Sequence, residues 1–259
     1  MPEGHTLHRL ALEMAELVGS VVSASSPQGR FVAEAVDGQR LTCVEAYGKH
    51  LLLDTAARNS VHVHLGMRGK WLRFSPVTGP GLSQVRLRLA VPDVAWDLIA
   101  PSTCELLDVD GRSALVAGLG PDPLRPDADQ DEAYRLVRAH PGFIGAALLD
   151  QSRIAGVGNV FRAEVLHGMR MPPTRPSRSV TPEEFAELWG RLQAMMTRAV
   201  ADGRIITVES EDPLALPEGE SRRVYKRDRC HDCGTPVATG TIDGRTTYAC
   251  PYCQPEWAG

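Results

Sequence analysis

No apolar run in the 259 residues approaches membrane-spanning length, and no leader with a charged, then apolar, then small-residue pattern precedes Pro2. The sequence therefore reads as a soluble chain with a cytoplasmic location and no membrane partner. It has no internal repeat and no low-complexity segment. Cysteine is sparse. Six thiols in a cytoplasmic chain of this size argue against a disulfide framework and for metal binding or free thiols. An excess of positive charge is also missing: 28 Lys and Arg stand against 32 Asp and Glu, for a net charge of −4. That total does not announce a nucleic-acid binder, whose footprint is basic. What is present is an ordinary globular composition, 43% hydrophobic and 23% charged, in a chain long enough for two or three domains.

Residues 5–18 carry Leu7, Leu10, Ala11, Met14, Leu17 and Val18 at helical spacing, with Gly19 as a stop. The next hundred residues read as short strands punctuated by Gly and Pro: VHVHLG (61–66), KWLRF (70–74), VRLRLAV (85–91), AWDLI and CELLDV (104–109). This pattern predicts a β-sandwich with the first helix packed on it. Residues 118–133 read as a linker rich in Pro, Gly and Asp. Short helices follow, split by Pro141-Gly142 and by GVG (156–158). A long helix then begins at Thr181, with Pro182 in its first turn and Glu184 completing a capping box, and it ends at Gly203. Residues 204–221 read as loop. The expected fold class is multidomain α+β, with domains over 1–120, 121–221 and 222–259.

The strongest local signal is Cys230-x2-Cys233 followed by Cys250-x2-Cys253. Four thiolates at this spacing can close one tetrahedral, structural zinc site. Asp243-Gly244 between the pairs is a hairpin-turn dipeptide. A zinc-clamped β-hairpin is therefore expected, with Arg245 just past its tip, where a guanidinium can reach a phosphate. Charge is unevenly spread. Residues 105–132 hold eight acids and two bases, whereas 151–180 hold five arginines and one acid, Glu164. Arg222, Arg223, Lys226, Arg227 and Arg229 precede the cysteine module. A basic surface built from these segments would attract a phosphate backbone. Asn159, after GVG, opens a helix whose first amides form a ready anion site or which it simply caps. Cys43 and Cys104 read as core thiols.

The first residues, MPEGH, raise a chemical question. A small second residue favours removal of Met1, which would leave Pro2 as a secondary amine beside the Glu3 carboxylate. A terminal amine with a pKa near 8 is about 10–20% free base at pH 7, against ~0.04% for a lysine near 10.4. Pro2 is thus the better nucleophile, and Glu3 can shuttle its protons.

MPEG, the GKH around Lys49, HLGM (64–67), LGPDPL (119–124), LLDQSRIAGVGNVFRAEVL (148–166) and the cysteine module together resemble the family of formamidopyrimidine-DNA glycosylase and endonuclease VIII. The resemblance covers most of the chain, in the family's order. It implies a DNA-repair glycosylase with lyase activity, built from a β-sandwich lobe and a helix–two-turns–helix lobe around DNA that contains oxidised bases or abasic sites. It implies a Pro2 iminium with the opened sugar, proton transfer by Glu3, and β,δ-elimination assisted by Lys49 and Arg245. Asn159 matches a phosphate-binding residue, and Met67 one that fills the gap left by a flipped base. Two departures stand out. His5 and Thr6 replace the usual Pro and Glu, and APSTCELLDVDGRSALVAGLGP lacks the Arg-x-Phe wedge of the formamidopyrimidine branch. The second departure points to the endonuclease VIII-like branch and a preference for oxidised pyrimidines. The resemblance to DNA-repair enzymes adds a nucleoid-associated location, and nothing in the sequence suggests more than a monomer. The alternatives are an 8-oxoguanine or formamidopyrimidine enzyme and a non-catalytic damage-binding zinc protein.

Overall fold

The computed structural model describes residues 2–77 and 79–258. They form two compact units, one up to Gly118 and one from Leu119. None of the described helices is long and apolar enough to cross a membrane.

In the first unit, α1 (Gly4–Met14) buries Leu7, Leu10, Ala11 and Met14, so the helical spacing read from the sequence is the packed face. A single 3-10 turn continues to Leu17, and Gly19 ends the element at φ +85°. Eight strands follow: β1 (Ser23–Ser25), β2 (Leu41–Tyr47), β3 (His50–Thr55), β4 (Ser60–His64), β5 (Lys70–Phe74), β6 (Val85–Val91), β7 (Val94–Ile99) and β8 (Thr103–Leu107). They pair antiparallel into two four-stranded sheets, ordered β1-β6-β7-β5 and β2-β3-β4-β8. One core joins both sheets to α1: Leu51, Leu53, Val61 and Val63 from one sheet, and Leu87, Leu89, Trp96 and Leu98 from the other. This is a sandwich built on alternating inward residues. The strand expected over 104–109 stops at Leu107. The Asp108 carboxylate caps the backbone N–H of Gly111 and starts a helix instead, α2 (Val109–Ala117).

The second unit carries α3 (Gln130–Arg138), α4 (Ile144–Ala147), α5 (Asn159–Gly168), α6 (Pro182–Asp202), β9 (Ala238–Ile242) and β10 (Arg245–Ala249). At the start of α6 the Thr181 side chain accepts from the backbone of Glu184, and the Glu184 side chain accepts from the backbone of Thr181. This is the capping box read from the sequence. Gly203 closes the helix at φ +72°, a left-handed conformation that favours glycine. The core runs from Phe161, Leu166, Phe185, Leu188 and Leu192 into Val224, Cys230 and Cys250. The cysteine module is therefore fastened to the helices by packing. Gln254 adds a polar tie, accepting from the backbone N–H of Cys250 at 3.0 Å and donating to the carbonyl of Met171 at 2.8 Å.

Candidate functional site

In the first unit, Glu3 is the extended N-cap residue of α1, with its side chain 1% exposed, and half-buried Pro2 lies one position before it. α1 packs against β2 and β3. The turn joining those strands is Gly48-Lys49, with Gly48 at φ +57°. The element that begins with Pro2 and Glu3 thus rests on the hairpin that carries Lys49. Met67 is 73% exposed on the turn between β4 and β5. The preceding residue, Gly66, has φ +65°, and a Cβ there would stand 2.8 Å from that of Ser102, so only glycine fits.

Beside Lys49 the sheet holds an arrangement that was not singled out in the sequence. His50 faces His64 across β3 and β4. His50 Nδ1 lies 2.8 Å from His62 Nε2, and His62 Nδ1 lies 2.8 Å from Glu105 Oε1. A carboxylate only accepts, so His62 donates to Glu105 through Nδ1. Burial holds His50 down to about 4, with help from His62, His64 and the Lys49 ammonium. Burial and Lys49 lower His64 as well. A neutral His50 therefore donates its Nδ1 proton to His62. The signal was present: the HVH of β4 puts two histidines on one face, and the β3–β4 register adds the third. Cys104 is a packed thiol that burial raises to about 12, which leaves it unreactive.

In the second unit, Gly158 is the N-cap of α5 and Asn159 is its first residue, which removes the plain-cap reading of Asn159. The Asn159 side chain instead donates to the carbonyl of Thr246 at 3.0 Å. Arg162, one turn along α5, donates to Asn159 Oδ1, to the same Thr246 carbonyl at 2.6 Å and to the carbonyl of Gly145 at 3.2 Å. Arg162 is 1% exposed. It pins the start of α5 to the residue that follows Arg245 in β10. Arg245 itself is exposed, just after a two-residue turn in which Asp243 and Gly244 both have positive φ. That is the geometry of a type I′ hairpin. Asn159 and the tip of the hairpin are therefore held together as one rigid corner.

The basic surface expected from 151–180 and 222–229 is smaller than the count of arginines implied. Arg162 is buried, and Arg175 is buried against Glu184 at 2.7 Å. Arg153 pairs with Asp150, Arg222 with Glu218 and Arg223 with Asp232. Arg170 and Arg178 remain exposed. Glu164, the single acid, is buried and accepts from the backbone N–H groups of Arg223, Val224 and Tyr225 and from Thr207. One carboxylate thus stitches α5 to the chain entering the cysteine module.

The four module cysteines bring their Sγ atoms together within 4.8 Å. Individual separations are 3.4 Å for Cys233 and Cys250, 3.5 Å for Cys233 and Cys253, and 3.9 Å for Cys230 and Cys253. A tetrahedral ion with bonds of ~2.3 Å to sulfur needs sulfurs about 3.8 Å apart. The donor set fits such an ion. The Nε2 of buried His167 stands 3.3 Å from Cys230 Sγ, and the backbone N–H of Cys253 points at Cys250 Sγ from 3.4 Å. Both are outer hydrogen-bond contacts of the kind that orient thiolates.

A β-sandwich unit with an N-terminal helix, a helical unit, and a four-cysteine hairpin locked to a helix N-terminus define a two-part protein with a module able to hold a metal ion. The sequence pattern of the Formamidopyrimidine-DNA glycosylase N-terminal domain matches residues 1–112, and that of the Formamidopyrimidine-DNA glycosylase H2TH domain matches 119–210. The chain is 42% identical to "Endonuclease 8 1" of Mycobacterium tuberculosis over 268 aligned positions, covering 98% of this chain and all of that protein. It is 32% identical to the Formamidopyrimidine-DNA glycosylase of Nocardioides sp., over 86% of this chain and 80% of that one. Among solved structures it is similar to the Fpg of Lactococcus lactis in complex with N7-benzyl-Fapy-dG DNA, with TM-score 0.80 and 21% identity over 98% of this chain and all of the other. The chain belongs to the formamidopyrimidine-DNA glycosylase and endonuclease VIII family of DNA-repair glycosylases with lyase activity.

Proposed function

We propose that this glycosylase removes oxidised bases, pyrimidines first, through a covalent adduct on Pro2, and then cuts the strand by β,δ-elimination. The observation that carries the reading is the placement of Pro2 and Glu3 at the start of α1. With Met1 removed, the Pro2 amine stands at the positive end of a helix dipole, which disfavours the ammonium and favours the free base. Its nitrogen attacks C1′ of the damaged nucleoside, the bond from C1′ to the base breaks, and the departing base takes up the proton that the Pro2 nitrogen releases. Glu3 gives a proton to the ring oxygen as the sugar opens, which leaves an iminium between Pro2 and C1′. The iminium acidifies the hydrogens at C2′. Loss of one expels the 3′-phosphate, with Lys49 as the phosphate contact, and Arg245 serves the second elimination. Asn159 binds backbone phosphate, and Met67 fills the space of the flipped nucleotide.

In this reading a catalytic domain covers 1–120, a helical DNA-binding domain 121–221 and a zinc hairpin 222–259, and the protein acts as a monomer. Cys230, Cys233, Cys250 and Cys253 would hold one structural zinc. When bound it supplies folding energy to the hairpin that presents Arg245.

The pyrimidine preference rests on α2. That helix lies within the stretch that lacks the Arg-x-Phe wedge, and Arg112 in it is engaged by Asp54 and Glu45. An enzyme with fewer wedge groups offsets less of the few kcal/mol that flipping needs, so it favours bases that are already loosely stacked. Single-turnover excision on matched oligonucleotides tests this. Thymine glycol and dihydrouracil should be released faster than 8-oxoguanine opposite cytosine, with good activity on single-stranded or bubble DNA. Glu3→Gln should abolish excision and keep much of the DNA affinity. Faster release of 8-oxoguanine would overturn the preference.

A further inference from the structure

In the second unit an imidazole sits where the core would accept a phenyl ring. His167 follows the buried Val165 and Leu166 near the end of α5 and is itself 3% exposed. A buried ring nitrogen without a hydrogen bond costs free energy that an apolar ring of similar size would not. Nδ1 of His167 has no hydrogen-bond partner among the described residues. The Asp232 carboxylate stands 3.9 Å from it, too far for a hydrogen bond, and is held by Arg223 at 2.6 Å. Among the described residues the ring's hydrogen-bond contact is Nε2 with Cys230 Sγ, at 3.3 Å. Whatever the imidazole offers at this position, it offers to that sulfur.

The contact differs in kind from the others at the cysteines. Thr235 Oγ1 lies 3.3 Å from Cys233 Sγ, and the backbone N–H of Cys253 lies 3.4 Å from Cys250 Sγ. Both groups are close in sequence to the sulfurs they serve, so the folded hairpin brings them with it. His167 belongs to another element, 63 residues from Cys230. Its bond forms only when the module is docked on α5. Cys230 also has the greater need. Cys233 is exposed and can turn to water, whereas Cys230 is 3% exposed. Four thiolates around a divalent ion leave an excess of negative charge, and N–H donors at the sulfurs offset it where water cannot. A metal-bound thiolate carries no proton, so the Nε2–H of His167 donates to it.

We propose that His167 is a positioning residue of the metal centre: its Nε2–H fixes the Cys230 thiolate for the ion and makes retention of the metal depend on α5. The proposal rests on the reading that the four cysteines hold a metal. α5 then meets the module at three levels. Asn159 and Arg162 reach the Thr246 carbonyl, Glu164 reaches the backbone of Arg223, Val224 and Tyr225, and His167 reaches a metal ligand itself. An ion held by the cysteines thereby steadies the helix whose other end fixes the corner beside Arg245.

The choice of variants follows from the surroundings. His167, Cys233 and Cys253 line a cavity of about 680 Å³. Phenylalanine at 167 keeps that wall filled and removes the donor, and glutamine returns an N–H at the reach of Nε2. The test loads the full-length protein with zinc and follows its release into an excess of a chromogenic chelator. Outer donors of this kind are worth about 10–100-fold in metal affinity. His167→Phe should therefore release zinc at least about tenfold faster than the parent, and His167→Gln should recover most of the loss. With cobalt(II) in place of zinc, the sulfur-to-metal charge-transfer band should move to lower energy in His167→Phe, because a thiolate without its hydrogen bond gives up electron density more readily. The band should return in His167→Gln. The metal-free proteins should melt alike. Equal release from the parent and His167→Phe would overturn the proposal, as would fast release from His167→Gln with the cobalt band unmoved in both variants. So would a metal-free His167→Phe that melts as far below its parent as the loaded variant does, the mark of a packing role. A parent that takes up neither zinc nor cobalt would remove the reading of the cysteines and the proposal with it, and metal analysis before the assay tells that failure from the others.

Discussion

Replacing Arg162 by methionine keeps an unbranched apolar stem at the buried position and removes the five donors of the guanidinium. Three acceptors lose a partner: Asn159 Oδ1, the Thr246 carbonyl and the Gly145 carbonyl. They do not suffer equally. The Thr246 carbonyl keeps the amide of Asn159 at 3.0 Å, and half-buried Asn159 can find water. Gly145 is buried, so its carbonyl is left bare, at about 1–3 kcal/mol. With the lost charge-assisted bonds, the whole change should come to about 2–4 kcal/mol, or a fall of roughly 5–15 °C in the melting temperature of a unit this size. Calorimetry checks that figure. A second consequence is functional. With the corner between α5 and β10 released, Arg245 should lose its fixed place, and the dependence of DNA affinity on salt should fall by about one unit, as it should for Arg245→Ala. Arg162→Lys keeps the charge without the planar fork and should lie between the two. A melting temperature within 1 °C of the parent, together with an unchanged salt slope, would refute the role assigned to Arg162.

The metal site and the histidine cluster make further predictions. Chelation, or Cys250→Ser, should melt the hairpin and weaken DNA binding, while the β-sandwich unit keeps its fold; a chelated protein of unchanged DNA affinity would contradict this. His50 titrates near 4 in the fold against 6.5 ordinarily, so the unfolded chain takes up a proton that the folded chain refuses. Stability should therefore be full above pH 6.5 and drain away as the pH falls toward 4, by about 2 kcal/mol once the ring's partial exposure is allowed for. Denaturant titrations at pH 7.5 and 4.5 should show that loss in the parent and a smaller one in His50→Gln; equal losses would exclude the cluster as the cause.

The features legible in the sequence were those that repeat or cap locally. The capping box at Thr181 and Glu184, the alternation of 85–91 and the paired cysteines each specify geometry within a few residues, and each stands in the structure where the sequence put it. Strands 41–47 and 50–55 gave no such signal. Leu51, Leu52 and Leu53 are all buried, so the run does not alternate. Helix 109–117 was equally silent, because none of its residues is buried and no apolar stripe marks it. Arg162 counted as surface charge in the sequence because nothing local distinguishes an arginine that will be buried. Its partners are Gly145 and Thr246, and only the folded chain brings them to it. The Glu105, His62 and His50 chain was hidden for the same reason: its three members come from three strands, and register alone aligns them.

The central claim is that the N-terminal proline is the nucleophile. Borohydride trapping on a duplex carrying thymine glycol, followed by proteolysis and mass spectrometry of the cross-linked peptide, tests it most directly. The account predicts a reduced sugar adduct on the nitrogen of Pro2, on chains that have lost Met1. An adduct found only on a lysine, Lys49 included, or no adduct on any lesion or abasic site, would contradict it.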